Sequence, residues 1–222
     1  ALIDCHVMDG IIQAITVYAI PVLLAITLHE AAHGYVARMF GDSTAYMLGR
    51  VTLNPIKHID PVGTIIVPLV IVLLSKLAGG TGFLFGWAKP VPVNFANLRH
   101  PKRDMIWVAA AGPGINLLMA IGWALGLKLV VAFGIREPFL IEMARAGIFV
   151  NIGLMALNLL PLPPLDGGRI LVGLLPHRLA YALSRVEPYG FFILILLLAT
   201  NTIGFFLVPF YEFGVGIVRL FV

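Results

Sequence analysis

Five apolar stretches without a charge, residues 11–28, 61–75, 105–127, 146–165 and 188–211, constrain this chain more than any other feature. A helix of roughly 20 apolar residues crosses the hydrocarbon core of a bilayer, about 30 Å thick. Only helices and closed barrels satisfy their backbone polar groups there. The third and fifth stretches are long enough to span. The first becomes a span if its helix runs on through His29 towards Arg38. The second is short, and reads as a tilted span or as half of a re-entrant pair with residues 77–88. The fourth is long enough but ends in Pro161-Leu162-Pro163-Pro164. The expected fold is therefore an all-α multi-pass membrane protein of about five membrane segments, with a broken helix at the Pro-rich segment. Composition agrees, because 60% of the 222 residues are hydrophobic and only 12% are charged, against about 25% in soluble domains. So few charges leave the surface of a soluble globule bare, and so apolar a chain is not disordered.

Residues 1–10 read poorly as native protein and are set aside. They lack the basic region of a signal peptide. Residues 11–222 are taken as one membrane-embedded domain, placed in the cell membrane. The net charge of +4 comes from Lys and Arg scattered between apolar runs. The expected partner is thus the lipid bilayer and not nucleic acid. A single cysteine, Cys5, allows neither an internal disulfide nor a thiolate metal cluster. If all five stretches cross, loops 79–104 and 166–187 share the more basic side, which the positive-inside rule makes cytoplasmic. Thr44–Asn54 mixes β-branched and aromatic residues with polar ones, which predicts a strand. Trp87–Phe95 carries Pro90 and Pro92 and is expected to be extended, at best an edge strand. Together they make a small strand or hairpin element in the loops.

His29-Glu30-Ala31-Ala32-His33 closes the first apolar run. On a helix, residues four apart differ by only about 40° in azimuth, so the two histidines share a face. Two such imidazoles can bind one Zn²⁺ at about 2.0–2.1 Å. Glu30, beside the first of them, can reach a metal-bound water as general base. An accidental match on a helix surface is the competing explanation. It weakens here because His and Glu within an apolar span are costly and are functional candidates by default.

A catalytic zinc needs a third protein ligand, and Asp166 is the strongest candidate. It follows Asn158-Leu159-Leu160-Pro161-Leu162-Pro163-Pro164-Leu165 and precedes Gly167-Gly168. The prolines end the helix, and the glycines permit a sharp turn. Broken backbone at membrane depth is tolerated only where it is buried in protein or lines a wet cavity. An Asp capping a helix in an interfacial loop is the plainer reading. His58 and Asp60 read as loop or cap residues, Glu212 as making an interior hydrogen bond or lying at the interface, and His6, His100 and His177 as exposed. Asn116, in Gly112-Pro113-Gly114-Ile115-Asn116, and Asn158 need hydrogen-bond partners in a membrane. Helix–helix bonding and donation to a substrate carbonyl or oxyanion are equally open for both. Asn151 reads as packing.

Taken together, the H-E-x-x-H at 29–33, the Gly112-Pro113-x-x-Asn116 element and the Asn158-x-x-Pro161-x-Pro163-x-x-Asp166-Gly167 segment resemble the site-2 protease family of intramembrane zinc metalloproteases. Gly49–Thr64 and Phe85–Val93 further resemble its compact bacterial and archaeal branch, without PDZ or CBS domains. The resemblance implies one zinc held by His29, His33 and Asp166, Glu30 as base, and Asn116 and Asn158 near substrate. It also implies transmembrane segments of other proteins as substrates. Because such a segment must unwind to be cut, Thr44–Asn54, with Val91–Phe95, is expected to offer an edge to which substrate adds as a strand. An ion- or proton-coupled transporter using the same buried groups, and an inactive substrate-binding relative, are the alternatives. Transport has no need of a Glu within an i, i+4 His pair, and an intact Glu30 speaks against an inactive relative.

Overall fold

A computed structural model of the chain describes residues 2–67, 70 and 88–221. The re-entrant pairing expected of 77–88 lies outside the described residues, apart from its last position, and so do the side chains of Cys5 and His6. The described chain is helical. In order it forms α1 (Leu2–Met39), α2 (Thr44–Met47), α3 (Pro101–Ala132), α4 (Pro138–Asn158), α5 (Asp166–Leu174), α6 (His177–Ser184), α7 (Glu187–Ala199) and α8 (Ile203–Arg219). Short helical turns at Pro55–His58, Pro61–Ile66 and Phe95–Asn97 connect them. Proline sits in the first turn of α3, α4 and α7, where its missing N–H costs nothing and its fixed φ suits the helix.

Three helices are long and apolar enough to cross a membrane, at Ile15–Met39, Pro101–Ala132 and Pro138–Asn158. α6 and α7 make a fourth crossing only if they count as one span, and they meet at 63°. The five-segment expectation is thus not met among the described residues, and the sidedness inferred from it loses its basis. The main departure is the stretch 188–211, expected as one helix. It breaks at Thr200-Asn201-Thr202. Asn201 adopts a left-handed φ of 56°. Its N–H donates to Leu198 O, and that of Thr202 to Leu197 O, the paired bonds of a Schellman stop. The Thr200 hydroxyl further donates to Leu196 O at 2.8 Å.

The expected strand at Thr44–Asn54 is also corrected. Asp42 accepts from the Thr44 N–H and hydroxyl, which starts a helical turn at α2 in place of an extended run. Gly49, at φ 62°, ends it. Of Trp87–Phe95, expected to be extended, residues 88–94 form neither helix nor strand, Asn94 is extended, and Phe95 opens a helical turn. The hairpin element is therefore absent there, and so is the two-stranded edge offered to substrate.

α1 packs across α3 and α4, α3 across α5, and α8 against α4. Ala120, Ala124, Ile152 and Val218 form the core between α3, α4 and α8. Leu160, Leu194 and Ile203 form a second between the Pro-rich break, α7 and α8. Large apolar side chains such as Phe205, Phe133 and Leu196 point outward, while His29, Asn116, Asn151 and Asp166 are buried. That reverses the usual distribution of a soluble protein.

Candidate metal centre

α1 carries His29 and His33 on one face, as the spacing predicts. Asp166, the first residue of α5, is brought to them by the break after α4. His29 Nε2 and His33 Nε2 lie 3.1 Å apart, and Asp166 Oδ2 is 3.2 and 3.3 Å from them. Asp166 does not cap α5; its carboxylate turns inward to the histidines. Gly167 and Gly168 serve a different purpose from the turn expected of them. Both are helical, and a Cβ on either would collide with the backbone of Leu159, Leu160 or Pro163. They let α5 start directly against the break, which sets Asp166 at its depth.

The second nitrogen of each imidazole fixes the first. His33 Nδ1 lies 2.7 Å from the Val108 carbonyl, which can only accept, so Nδ1 carries the proton. His29 Nδ1 lies 2.5 Å from Asn116 Oδ1. The Asn116 amide nitrogen donates to Asn151 Oδ1 at 2.9 Å and to Ala25 O at 3.4 Å. Its oxygen therefore faces His29, and His29 Nδ1 is again the donor. With both protons on Nδ1, both neutral Nε2 atoms present lone pairs to the centre. Asp166 Oδ2 is buried and has no hydrogen-bond partner among the described residues. Three acceptors thus converge with no donor between them, which is costly unless a cation sits there. A tetrahedral shell with bonds of about 2.0–2.1 Å has edges of about 3.3 Å, which the observed triangle matches. His29, His33 and Asp166 form a group able to hold a metal ion.

α3 closes the back of the triangle at Gly112, where a Cβ would come within 2.5 Å of His29 Cε1 and His33 Nε2. Between α1 and α3, a cavity of about 340 Å³ is lined by Val36, Met39, Phe40, Trp107, Ala110 and Ala111, none of them a member of the triangle.

Glu30, half-buried beside His29, accepts a 2.7 Å hydrogen bond at Oε2 from the Val91 N–H. The irregular segment 88–94 supplies that donor and is held at several points. Lys89 N donates to His58 O, Arg50 Nη2 to Lys89 O at 2.9 Å, and Asn94 N to Asp42 Oδ2 at 2.7 Å. Asp42, fully buried, also accepts from Asn97 Nδ2 at 3.1 Å. Burial raises the Asp42 pKa. The bonds from Thr44, Asn97 and Asn94 outweigh it and hold the carboxyl below its usual range. The sequence reading missed Asp42, although Gly41-Asp42-Ser43-Thr44 after an apolar run is a helix-stop and turn signal.

His58 and Asp60 have the loop and capping roles read for them. His58 is buried with Nε2 3.0 Å from Thr52 O, and Asp60 accepts from Val62 N and Gly63 N. His100, His177 and Glu212 are exposed. Asn116 stands behind His29 with its amide nitrogen engaged. Asn158 donates to Leu154 O at 3.0 Å, one turn back on its own helix. Asn151, read as packing, is hydrogen-bonded to Asn116.

Apolar helices long enough to cross a membrane carry a buried His-His-Asp group able to hold a metal ion, and comparison with known proteins points to a metalloprotease. The model of peptidase family M50 matches residues 135–200. Over 205 residues the chain is 40% identical to YwhC of Bacillus subtilis (strain 168), named as a zinc metalloprotease, covering 88% of this chain and 85% of that protein. It is 32% identical over 182 residues to Rip2 of Mycolicibacterium smegmatis, also named as a zinc metalloprotease, covering 82% of this chain and 66% of that one. Rip2 of Mycobacterium tuberculosis (strain H37Rv) is 31% identical over 189 residues, covering 83% and 67%. No solved structure matches. The chain belongs to peptidase family M50, the site-2 protease family.

Proposed function

We propose that residues 11–222 form one membrane-embedded zinc endopeptidase of the cell membrane. It hydrolyses peptide bonds within transmembrane segments of other proteins. The observation that carries this reading is the triangle of His29 Nε2, His33 Nε2 and Asp166 Oδ2, with edges of 3.1–3.3 Å, three converging acceptors and a carboxylate, Glu30, beside them.

His29, His33 and Asp166 would hold the zinc. A zinc in such a site would supply Lewis acidity, which brings the pKa of water down towards neutrality and polarises a carbonyl. Glu30 takes the proton from the attacking water as its oxygen adds to the scissile carbonyl carbon. It then gives that proton to the amine nitrogen as the C–N bond breaks. The Val91 N–H holds one carboxylate oxygen of Glu30 and leaves the other for this transfer. Outward-facing apolar side chains on α1, α3 and α4 support a lipid surround and a substrate that arrives within the bilayer.

The test is metal analysis and cleavage of a model transmembrane substrate by wild type and Glu30→Gln in detergent. Both should carry close to one zinc per chain, and only wild type should cleave. Chelation should silence wild type, and zinc should restore it. Equal cleavage by Glu30→Gln refutes the role of Glu30. Full zinc loading without cleavage by wild type of any membrane substrate points to the transporter or binding alternatives.

A further inference from the structure

We propose that Asn151 is a positioning residue for the metal centre, setting the tautomer of His29 through Asn116 from two helices away. This rests on the reading of His29 as a zinc ligand.

Three helices contribute to the chain of hydrogen bonds. On α4, Asn151 is fully buried, and its Nδ2 donates to Gly147 O one turn earlier at 2.8 Å. A backbone carbonyl only accepts, so this bond fixes which end of the Asn151 amide is nitrogen. Its Oδ1 is thereby presented to α3, where it accepts from Asn116 Nδ2 at 2.9 Å. That second bond fixes the Asn116 amide in turn. Asn116, also fully buried, presents Oδ1 to His29 Nδ1 on α1 at 2.5 Å. The proton goes to Nδ1, and the Nε2 lone pair faces His33 and Asp166. Each member has one orientation because the member before it has one, and the sequence starts at Gly147 O, which cannot flip.

Without Asn151, Asn116 keeps one long anchor, Ala25 O at 3.4 Å. A flipped Asn116 would turn its NH₂ to His29 Nδ1. The imidazole proton would then move to Nε2, where it faces the metal and blocks coordination. His33 needs no such relay, because the Val108 carbonyl fixes it directly. Partners that orient a metal-binding histidine change metal affinity by roughly ten- to a hundredfold when removed.

The experiment measures the zinc dissociation constant by chelator competition in purified wild type, Asn151→Leu, Asn151→Asp, Asn116→Ala and the Asn116→Ala/Asn151→Leu double variant. Melting of each zinc-free form serves as the folding control. Asn151→Leu keeps the volume and loses both bonds, so its dissociation constant should rise about ten- to a hundredfold. Asn151→Asp, neutral when buried, can still accept from Asn116 and donate to Gly147 O, and should recover most of the affinity. If Asn151 acts through Asn116, the double variant should bind zinc as weakly as Asn116→Ala alone. A role confined to packing would lower the melting temperature of both Asn151 variants, with additive effects in the double variant. Unchanged affinity in a folded Asn151→Leu protein, or additivity, overturns the proposal. Wild type that binds no zinc overturns the reading of His29 as a ligand instead. Wild type that binds zinc but cleaves nothing leaves the relay standing and removes the protease reading alone.

Discussion

Gly112→Ala adds one methyl group at the back of the metal triangle, and the structure sets how much room that methyl lacks. Its Cβ would stand 2.5 Å from His29 Cε1 and His33 Nε2, and 2.6 Å from His29 Nε2. Ordinary carbon contacts begin near 3.5 Å, so the imidazoles or α3 must retreat by about 1 Å. His33 is tied to Val108 and His29 to Asn116, both on α3, the helix that carries Gly112. Moving α3 away therefore drags the ring anchors with it, and moving the rings breaks those anchors. Overpacking of this kind costs about 1–3 kcal/mol of stability. A misplacement of about 1 Å in a catalytic group costs on the order of 10²-fold in rate. The matched control is Gly114→Ala, two residues along the same helix, where a Cβ meets nothing within 4 Å. Replacing that helical glycine should be neutral or stabilising by about 0.5–1 kcal/mol. Zinc content, melting temperature and cleavage rate of the two variants form the assay. Gly112→Ala should lose zinc affinity and at least 10²-fold in rate, while Gly114→Ala keeps both. If the two behave alike, the close approach of α3 to the imidazoles is not what shapes the site.

Other outcomes follow from features away from the triangle. A Cβ on Gly190 of α7 would fall on the Pro163 carbonyl, so Gly190→Ala should lower thermal stability by about 1–3 kcal/mol. Gly204→Ala, where a Cβ meets nothing within 4 Å, should not, and equal melting of the two would contradict that packing. The Asp42 pKa lies below its unfolded value of about 3.9. Unfolding then takes up a proton in that window, so the stability Asp42 provides is full above about pH 4. It is lost as pH falls through the lower folded value. The melting-temperature advantage of wild type over Asp42→Asn should therefore be constant at higher pH and shrink on acidification below about pH 4. An advantage that grows there contradicts the hydrogen-bonded carboxylate.

The grouping of His29, His33 and Asp166 was more legible than the path of the chain. The two histidines share a face by helical spacing alone, and Asp166 follows prolines that must end a helix. Asn151 could not be read in the same way, because its role depends on which helix faces it, and the sequence carries no pairing of α3 with α4. The single span expected over 188–211 failed for a definable reason. Hydropathy counts apolar residues and does not register that Thr200-Asn201-Thr202 can satisfy the final carbonyls of one helix and begin another. The strand expected at Thr44–Asn54 rested on β-branched propensity, which one buried carboxylate, Asp42, overrode by hydrogen-bonding a tight turn. Hydropathy and propensity scales count neither the backbone bonds that close a helix at Asn201 nor the side-chain bonds of Asp42 that start a turn.

The seat of Gly190 on Pro163 has a mechanical meaning as well. Contact between bare backbones resists compression steeply and resists separation hardly at all. An inward push of α7 therefore bears on Pro163, three residues before Asp166, and on the loop that carries it, whereas an outward swing is opposed by the core of Leu160, Leu194 and Ile203. The depth of the carboxylate thus has a hard limit in one direction, set by two residues that take no part in its chemistry.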